Sequence, residues 1–215
     1  MHSERSVFQK WVDFVTFPIR APIAIPFGDD DKFGVSSLQT ERFDYVAKEV
    51  QGYCLDIGCG PGNRFITKCM KGNGVGIDVI RHDGLTDENV VEDMTHLPFS
   101  DNTFDSATFI ANFNHIPRPI RVAELADAHR CLKDGGNVIV TAATPLAWIL
   151  VHKVGFFFER VLGRPRSSEQ DDELFCTDDH VVDVLEQAGF RNITKKYFFT
   201  QWLLNHLFVG WKQNI

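Results

Sequence analysis

Residues 53–62 read Tyr-Cys-Leu-Asp-Ile-Gly-Cys-Gly-Pro-Gly. An apolar run ends at Asp56, and Gly58, Gly60 and Gly62 follow at alternate positions. Glycines at such a turn let the backbone bend sharply and come close to a ligand. Residues 63–71 then read as a helix, whose first N–H groups can face an anion. Strand, glycine loop and helix make the first unit of a nucleotide-binding α/β sheet. A dinucleotide site would place its third glycine where this chain has Asn63, which disfavours an NAD(P) oxidoreductase. Many tight turns carry glycines for structural reasons alone, so the loop needs support from other residues.

That support comes from polar groups further on. Asp78 closes the run Gly-Val-Gly-Ile-Asp, about 20 residues past the glycines, where an acid can accept both hydroxyls of a ribose. The bland alternative is that it caps a turn. Asn112 follows the fourth apolar run, at the carboxyl ends of the strands where open α/β sheets bind ligands. No Cys-x-x-Cys or Cys/His spacing suggests a metal.

These residues must be carried by a regular frame. Phe8, Trp11, Val12 and Val15 fall on one face of a helix over 6–17, which Pro18 should stop. Residues 18–34 hold Pro18, Pro22 and Pro26 and read as a loop. Ser36-x-x-Gln39 resembles a capping box. It opens a helix with Phe43, Val46, Ala47 and Val50 on one side, which either covers the ligand site or simply packs on the sheet. Strands are expected at 53–57, 74–78, 90–93, 105–111, 137–142, 191–200 and 207–212. Helices are expected at 120–132 and from the Thr177 cap to Gln187, with Gly189 as a stop. Strands alternating with helices predict an α/β fold, a mostly parallel sheet covered on both faces.

Composition narrows the classes. The chain has 215 residues, 44% hydrophobic and 24% charged, which suits one soluble domain with a sizeable core. A net charge of −7 argues against a nucleic-acid substrate. The five cysteines, Cys54, Cys59, Cys69, Cys131 and Cys176, are odd in number and read as reduced thiols of a cytoplasmic protein. The first residues do not read as a signal peptide, and no uncharged run reaches the roughly 18 residues of a membrane span.

From residue 53 to about 212 the chain resembles the class I S-adenosylmethionine-dependent methyltransferases. It is similar in particular to the small branch of ubiquinone/menaquinone C-methyltransferases, the type 11 methyltransferase domains. The resemblance rests on Leu55-Asp56-Ile57-Gly58-Cys59-Gly60-Pro61-Gly62, Gly76-Ile77-Asp78, Asp93 with Leu97-Pro98-Phe99, Phe104-Asp105, and Cys131-Leu132-Lys133-Asp134-Gly135-Gly136. Family members usually have proline at the place of Asp134. The resemblance implies a Rossmann-like sheet of seven strands in the order 3-2-1-4-5-7-6, with strand seven antiparallel. It implies S-adenosylmethionine as cofactor and methyl transfer to a small-molecule or lipid-like acceptor. The rival is a cofactor-binding subunit that has lost catalysis.

The same resemblance distributes the roles. N–H and C=O groups of Gly58, Cys59 and Gly60 serve the methionine end of the cofactor, beside the anion of Asp56. Asp78 takes the ribose. Asp93 accepts from the adenine amino group and Met94 and Val79 cover the ring, unless Asp93 only caps the next turn. Asn112 faces the same crevice. His115, in the loop that meets the substrate in relatives, is the candidate general base; His96, His152 and His180 are weaker, and a loop histidine is often merely solvated.

The implied domains are an N-terminal helical cap and loop over 1–50 and the methyltransferase domain over 51–215. Residues 145–176 exceed what joins a strand to the next helix. Leu146, Ile149, Leu150, Phe157, Phe158, Val161 and Leu162 fit one helical face, with Trp148, Val151 and Phe156 opposite. A helix apolar nearly all round must be covered. The stretch is either a lid over an apolar acceptor, a peripheral membrane contact through 145–163, a dimer face or ordinary packing.

Overall fold

The structure is a computed structural model that describes residues 5–27, 36–147, 149 and 176–213. Most of the expected lid, 145–176, and with it His152, lies outside the described residues.

The centre is β1 (Cys54–Ile57), four residues all buried. A strand buried on both faces reads as a continuous apolar run, as this one does apart from Asp56. It lies between β2 (Gly74–Ile77) and β3 (Phe104–Phe109), parallel to both. β4 (Leu132–Ala143) runs parallel to β3. β5 (Arg191–Tyr197) and β6 (Asn205–Trp211) finish the sheet, β6 antiparallel to both β4 and β5. The order is β2-β1-β3-β4-β6-β5. The loops after β1, β3 and β4 and the turn before β6 therefore emerge at one end of the sheet.

Six strands form among the described residues, where the sequence suggested seven. At 90–93 there is a single parallel bridge, Asp78 to Val90. A short helical turn over Asp87–Asn89 occupies the approach. Asp93 then bends the chain away by accepting from Thr95 N at 2.8 Å, which leaves no length for a ladder.

Helices cover both faces. α3 (Arg121–Cys131) and α4 (Asp178–Gln187) place Leu125, Ala128, Val181, Val184 and Leu185 against Leu55, Ile57, Ala107, Phe109, Val138 and Val140. The other face carries α2 (Leu38–Ala47), whose Phe43 and Val46 pack with Cys54, Phe65, Ile139, Leu207 and Val209. α4 begins as its sequence suggests: Thr177 Oγ1 accepts from His180 N at 3.2 Å.

Three local expectations are corrected. The cap of α2 is Ser37, which accepts from Thr40 N, and not Ser36. The segment after the glycine loop is only a five-residue turn, Phe65–Cys69, ended by left-handed Lys71 and Gly72. And α1 (Val7–Phe27) does not stop at Pro18 but runs through the stretch read as a loop. Pro18 lacks the N–H that would bond the Phe14 carbonyl. That carbonyl instead accepts from the indole Nε1 of Trp202 at 2.8 Å. Pro18, Pro22 and Pro26 are four residues apart, so the lost bonds lie along one side of the helix.

α1 also faces the opposite way to its apolar pattern. Phe8, Trp11 and Val15 are exposed, while Asp13 is buried. Arg5 Nη1 donates to Asp13 at 2.6 Å, Gln9 Nε2 at 2.9 Å and Ser36 N at 3.1 Å. Arg5 also reaches Asp44 of α2 at 3.1 Å, and Arg20 pairs with Glu41. A charged clasp, in place of an apolar seam, joins α1 to α2.

Candidate functional site

The glycine loop leaves β1 at the strand end shared by β2 and β3. Gly58 N and Cys59 N donate to Ile77 O at 2.8 and 3.0 Å, which folds the loop back over β2. Gly58 has φ +71°, and a Cβ there would stand 2.1 Å from Asn112 Nδ2. Asn112 Nδ2 in turn donates to Ile57 O, so the loop after β3 is pressed against the loop after β1. Gly60 has φ +65° with open space where a Cβ would be, so a ligand can come close to its backbone.

Beside this loop lies a cavity of about 250 Å³. Its floor is Asp56, Gly58, Cys59, Gly60 and Pro61; Ile110 and Ala111 form one side, and Gln39, Arg42 and Phe43 of α2 with Arg64 close the other. Ala111 holds a left-handed φ of +58°, rare for alanine, and its N donates to Thr141 Oγ1 at 2.8 Å. Strained backbone of this kind gathers at functional sites.

Asp56 is buried, and its Oδ1 accepts from Thr108 Oγ1 at 2.7 Å. Burial pushes its carboxyl up to about 7; the Thr108 bond opposes this and the neighbouring Asp78 adds to it. Asp78 is 7% exposed and works on both sides of the loop. Its Oδ2 accepts from Gly60 N at 3.0 Å and its Oδ1 from Ile80 N at 2.9 Å. Each oxygen keeps a lone pair for a further donor. The strand-end acid is thus a loop anchor as well as a candidate ribose acceptor.

The loop N–H groups of Gly58, Cys59 and Gly60 are all used within the protein, so they are not the source of charge for an anionic ligand. Two guanidiniums at the cavity wall, Arg42 and Arg64, could supply it, with Arg64 Nη1 donating to Gln39 Oε1 at 3.0 Å. Sequence reading missed both. Arg64, two residues past the last glycine, was visible; Arg42 comes near only because α2 packs there.

The cavity fits the methionine end of S-adenosylmethionine. Asp56 could take an ammonium there, and Arg42 with Arg64 a carboxylate. Next to the cavity lining, Asn112 Oδ1 is buried and has no partner among the described residues. The residues expected at the adenine are less gathered. Val79 is exposed, and Met94 packs into the main core. The Asp93 carboxylate is 60% exposed and accepts from Thr95 and His96, the capping geometry. Bonds from Thr95 and His96 hold it below its ordinary pKa.

His115 ends a short turn, Phe113–His115, four residues past the cavity wall, with its side chain exposed. The Leu97-Pro98-Phe99 phrase is fixed by α3: Asp127 accepts from Leu97 N at 2.6 Å, and Arg130 donates to the carbonyls of Leu97 and Phe99. All five cysteines are free, and Cys59 alone is not buried.

Known methyltransferases are similar to this chain. A family model described as a methyltransferase domain matches residues 36–195. A protein of Encephalitozoon cuniculi that carries a provisional methyltransferase name is 31% identical over 168 residues, covering 74% of this chain and 68% of that one. Demethylmenaquinone methyltransferase of Lactobacillus johnsonii is 27% identical over 169 residues, covering 66% and 68%. Among solved structures, 1,6-didemethyltoxoflavin-N1-methyltransferase of Burkholderia thailandensis, with S-adenosylhomocysteine bound, superposes with a TM-score of 0.55 at 11% identity, covering 95% and 87%.

Proposed function

The chain belongs to the S-adenosylmethionine-dependent methyltransferases of class I, and we propose that its methyl acceptor is a small apolar or lipid-like molecule. The cofactor, when bound, supplies a methyl group activated by positive sulfur. The protein has to hold that group and align an acceptor with it.

The observation that carries the acceptor class is the apolar rim at the ligand end of the sheet. β4 ends there, and Thr144 N donates to Leu204 O at 2.9 Å, bringing the start of the 145–149 stretch to the turn before β6. Leu146, Ile149, Phe199, Trp202 and Leu203 are all exposed on this rim. Trp202 and Leu203 hold successive left-handed φ values of 51° and 60°, an unusual backbone for two bulky residues. Phe14 of α1 stacks on Phe199 at 4.6 Å between centroids, which extends the rim to the exposed Trp11 and Val15. An apolar patch at the same end of the sheet as the glycine loop suits a greasy acceptor better than a charged one. The Lactobacillus relative is named for such a compound, demethylmenaquinone.

Within this reading Asp56, Asn112, Arg42 and Arg64 hold the methionine end, Asp78 the ribose, and Asp93, Met94 and Val79 the adenine. His115 is the base only if the acceptor must lose a proton. The catalytically inactive partner subunit is not favoured, since the family model and the named relatives are methyltransferases.

The test is to incubate the protein and cofactor labelled in its methyl group with separate lipid and aqueous extracts of cells. Label should enter the lipid extract. Label appearing only in water-soluble products would overturn the acceptor class.

A further inference from the structure

Arg121 is the largest fully buried side chain of the described protein, and nothing in the cofactor cavity accounts for it. It begins α3. Its Nε donates to Ile116 O at 2.8 Å and its Nη2 to Asn114 O at 3.3 Å. Its Nη1 lies 3.2 Å from Cys176 Sγ and 3.0 Å from His180 Nε2. Its guanidinium carbon stands 5.1 Å from the centroid of the Phe113 ring. Burying a guanidinium is costly unless its donors are met, and filling the space alone would be cheaper with an apolar residue. The planar fork of arginine can serve several acceptors at fixed angles, which lysine cannot.

The two carbonyls it holds belong to the residues on either side of His115. The other end of the same turn is fastened by Asn112, whose side chain bonds Ile57 O, and His115 N donates to Asn112 O at 2.8 Å. Cys176 and His180 flank the Thr177 cap of α4, where the chain returns from the 150–175 stretch. We propose that Arg121 is a positioning residue of the acceptor side: it locks the Phe113–Ile116 turn, beyond Asn112, in one backbone geometry and ties that turn to the first turn of α4. This rests on the methyltransferase reading above. Arg121 donates to His180 Nε2, so the ring proton sits on Nδ1. Burial and the nearby guanidinium keep His180 below its ordinary pKa, in keeping with a neutral ring as acceptor.

The two sides of the site should then separate on mutation. Lining of the cofactor cavity ends at Ala111, before the turn that Arg121 holds. Arg121→Met should therefore leave affinity for S-adenosylhomocysteine within about twofold, read by calorimetry. Amide exchange should rise together, by about tenfold or more, across 113–116 and 177–181 and stay unchanged in the 58–62 loop. In the labelled-extract assay kcat should fall by about tenfold or more with KM for the cofactor unchanged, since misplacing an acceptor costs rate. Arg121→Lys keeps the charge and most of the volume but not the fork; a merely structural role would be rescued by it, whereas the positioning role predicts that kcat stays low.

Where Arg121→Met does not fold, His180→Leu removes only the α4 end of the tie and should loosen 113–116. The proposal is wrong if exchange at 113–116 is unchanged in either folded variant. It is also wrong if cofactor affinity falls in step with kcat, or if Arg121→Lys restores kcat. A wild-type protein that binds S-adenosylhomocysteine but transfers no label counts against the acceptor reading instead, and the exchange experiment still decides this one.

Discussion

At the residue scale the site is a set of acids pressed into a turn, and their environments set their behaviour. Asp78 bonds Gly60 N and Ile80 N and has capacity left for two hydroxyls. Asp78→Asn keeps the shape and removes the charge. Charge-assisted bonds are worth about 1.5–3 kcal/mol, so affinity for S-adenosylhomocysteine should fall by about tenfold to a hundredfold. Calorimetry on the folded variant checks this, and an unchanged constant would leave Asp78 only its loop-anchoring bonds. Asp56 and Asp78 were legible because strand, glycines and acid sit at fixed spacing along the chain. Arg42 was not: its place at the cavity depends on how α2 packs, which no local pattern states. Asp93 shows a different limit. Thr95 lies two residues away, so the sequence allowed both an adenine acceptor and a turn cap, and the local bonds are those of a cap.

At the element scale, α2 carries one wall of the cofactor cavity, and α2 is held by α1 through charge. Arg5 reaches Asp13 at 2.6 Å, Asp44 at 3.1 Å and Glu41 at 3.5 Å, all three acids buried. Removing one partner of a buried ionic cluster leaves charges without compensation and costs about 3–5 kcal/mol. Arg5→Ala should therefore lower the unfolding free energy measured in urea by that amount, with the midpoint falling by it divided by the m-value, and weaken S-adenosylhomocysteine binding as the α2 wall loosens. A loss under about 1 kcal/mol would show the clasp to be dispensable. The sheet strands were readable from apolar runs and turn residues, since β1, β3 and β4 are buried on both faces. α1 was not. Its apolar row, which reads as one face, turns outward, and its three prolines gave the wrong end. Both readings were overridden by tertiary contacts, the buried Asp13 and the Trp202 indole that takes the Phe14 carbonyl. The strand expected at 90–93 failed for a related reason, because Asp93 turns the chain before a second bridge can form.

At the scale of the whole molecule the same acids tie stability, pH and cofactor together. Asp56 and Glu124 are each pushed up to about 7, in both cases chiefly by burial, with Asp78 and Asp93 respectively adding to it. Their unfolded values are about 3.9 and 4.3. Between those values and 7 the native state holds protons that the unfolded chain has lost. That contribution is whole below about pH 4 and is lost as pH rises through 7. Asp105 is held below its ordinary value by Lys133 and the Tyr53 N–H; in Asp13, bonds from Gln9, Ser36 and Arg5 outweigh burial. Their contribution is present above about pH 4 and lost below it. On these carboxylates the melting temperature of the free protein should be higher at pH 5 than at pH 8, while His129, His180 and His206, held below their ordinary value chiefly by burial, work the other way as pH falls below about 6.5. Cofactor reverses the slope. If its ammonium meets Asp56 as proposed, it favours the ionised carboxylate, so binding below about pH 7 releases a proton and affinity should rise from pH 6 to pH 8. A ligand bound only to the native state raises the melting point according to its affinity. The rise caused by S-adenosylhomocysteine should therefore be larger at pH 8 than at pH 6, while NADH should cause none at either. Asp56→Asn should flatten both profiles, and binding heats measured in buffers of different ionisation enthalpy should show the proton release vanish with it. A melting point gain independent of pH in the wild-type protein would place the cofactor ammonium away from Asp56.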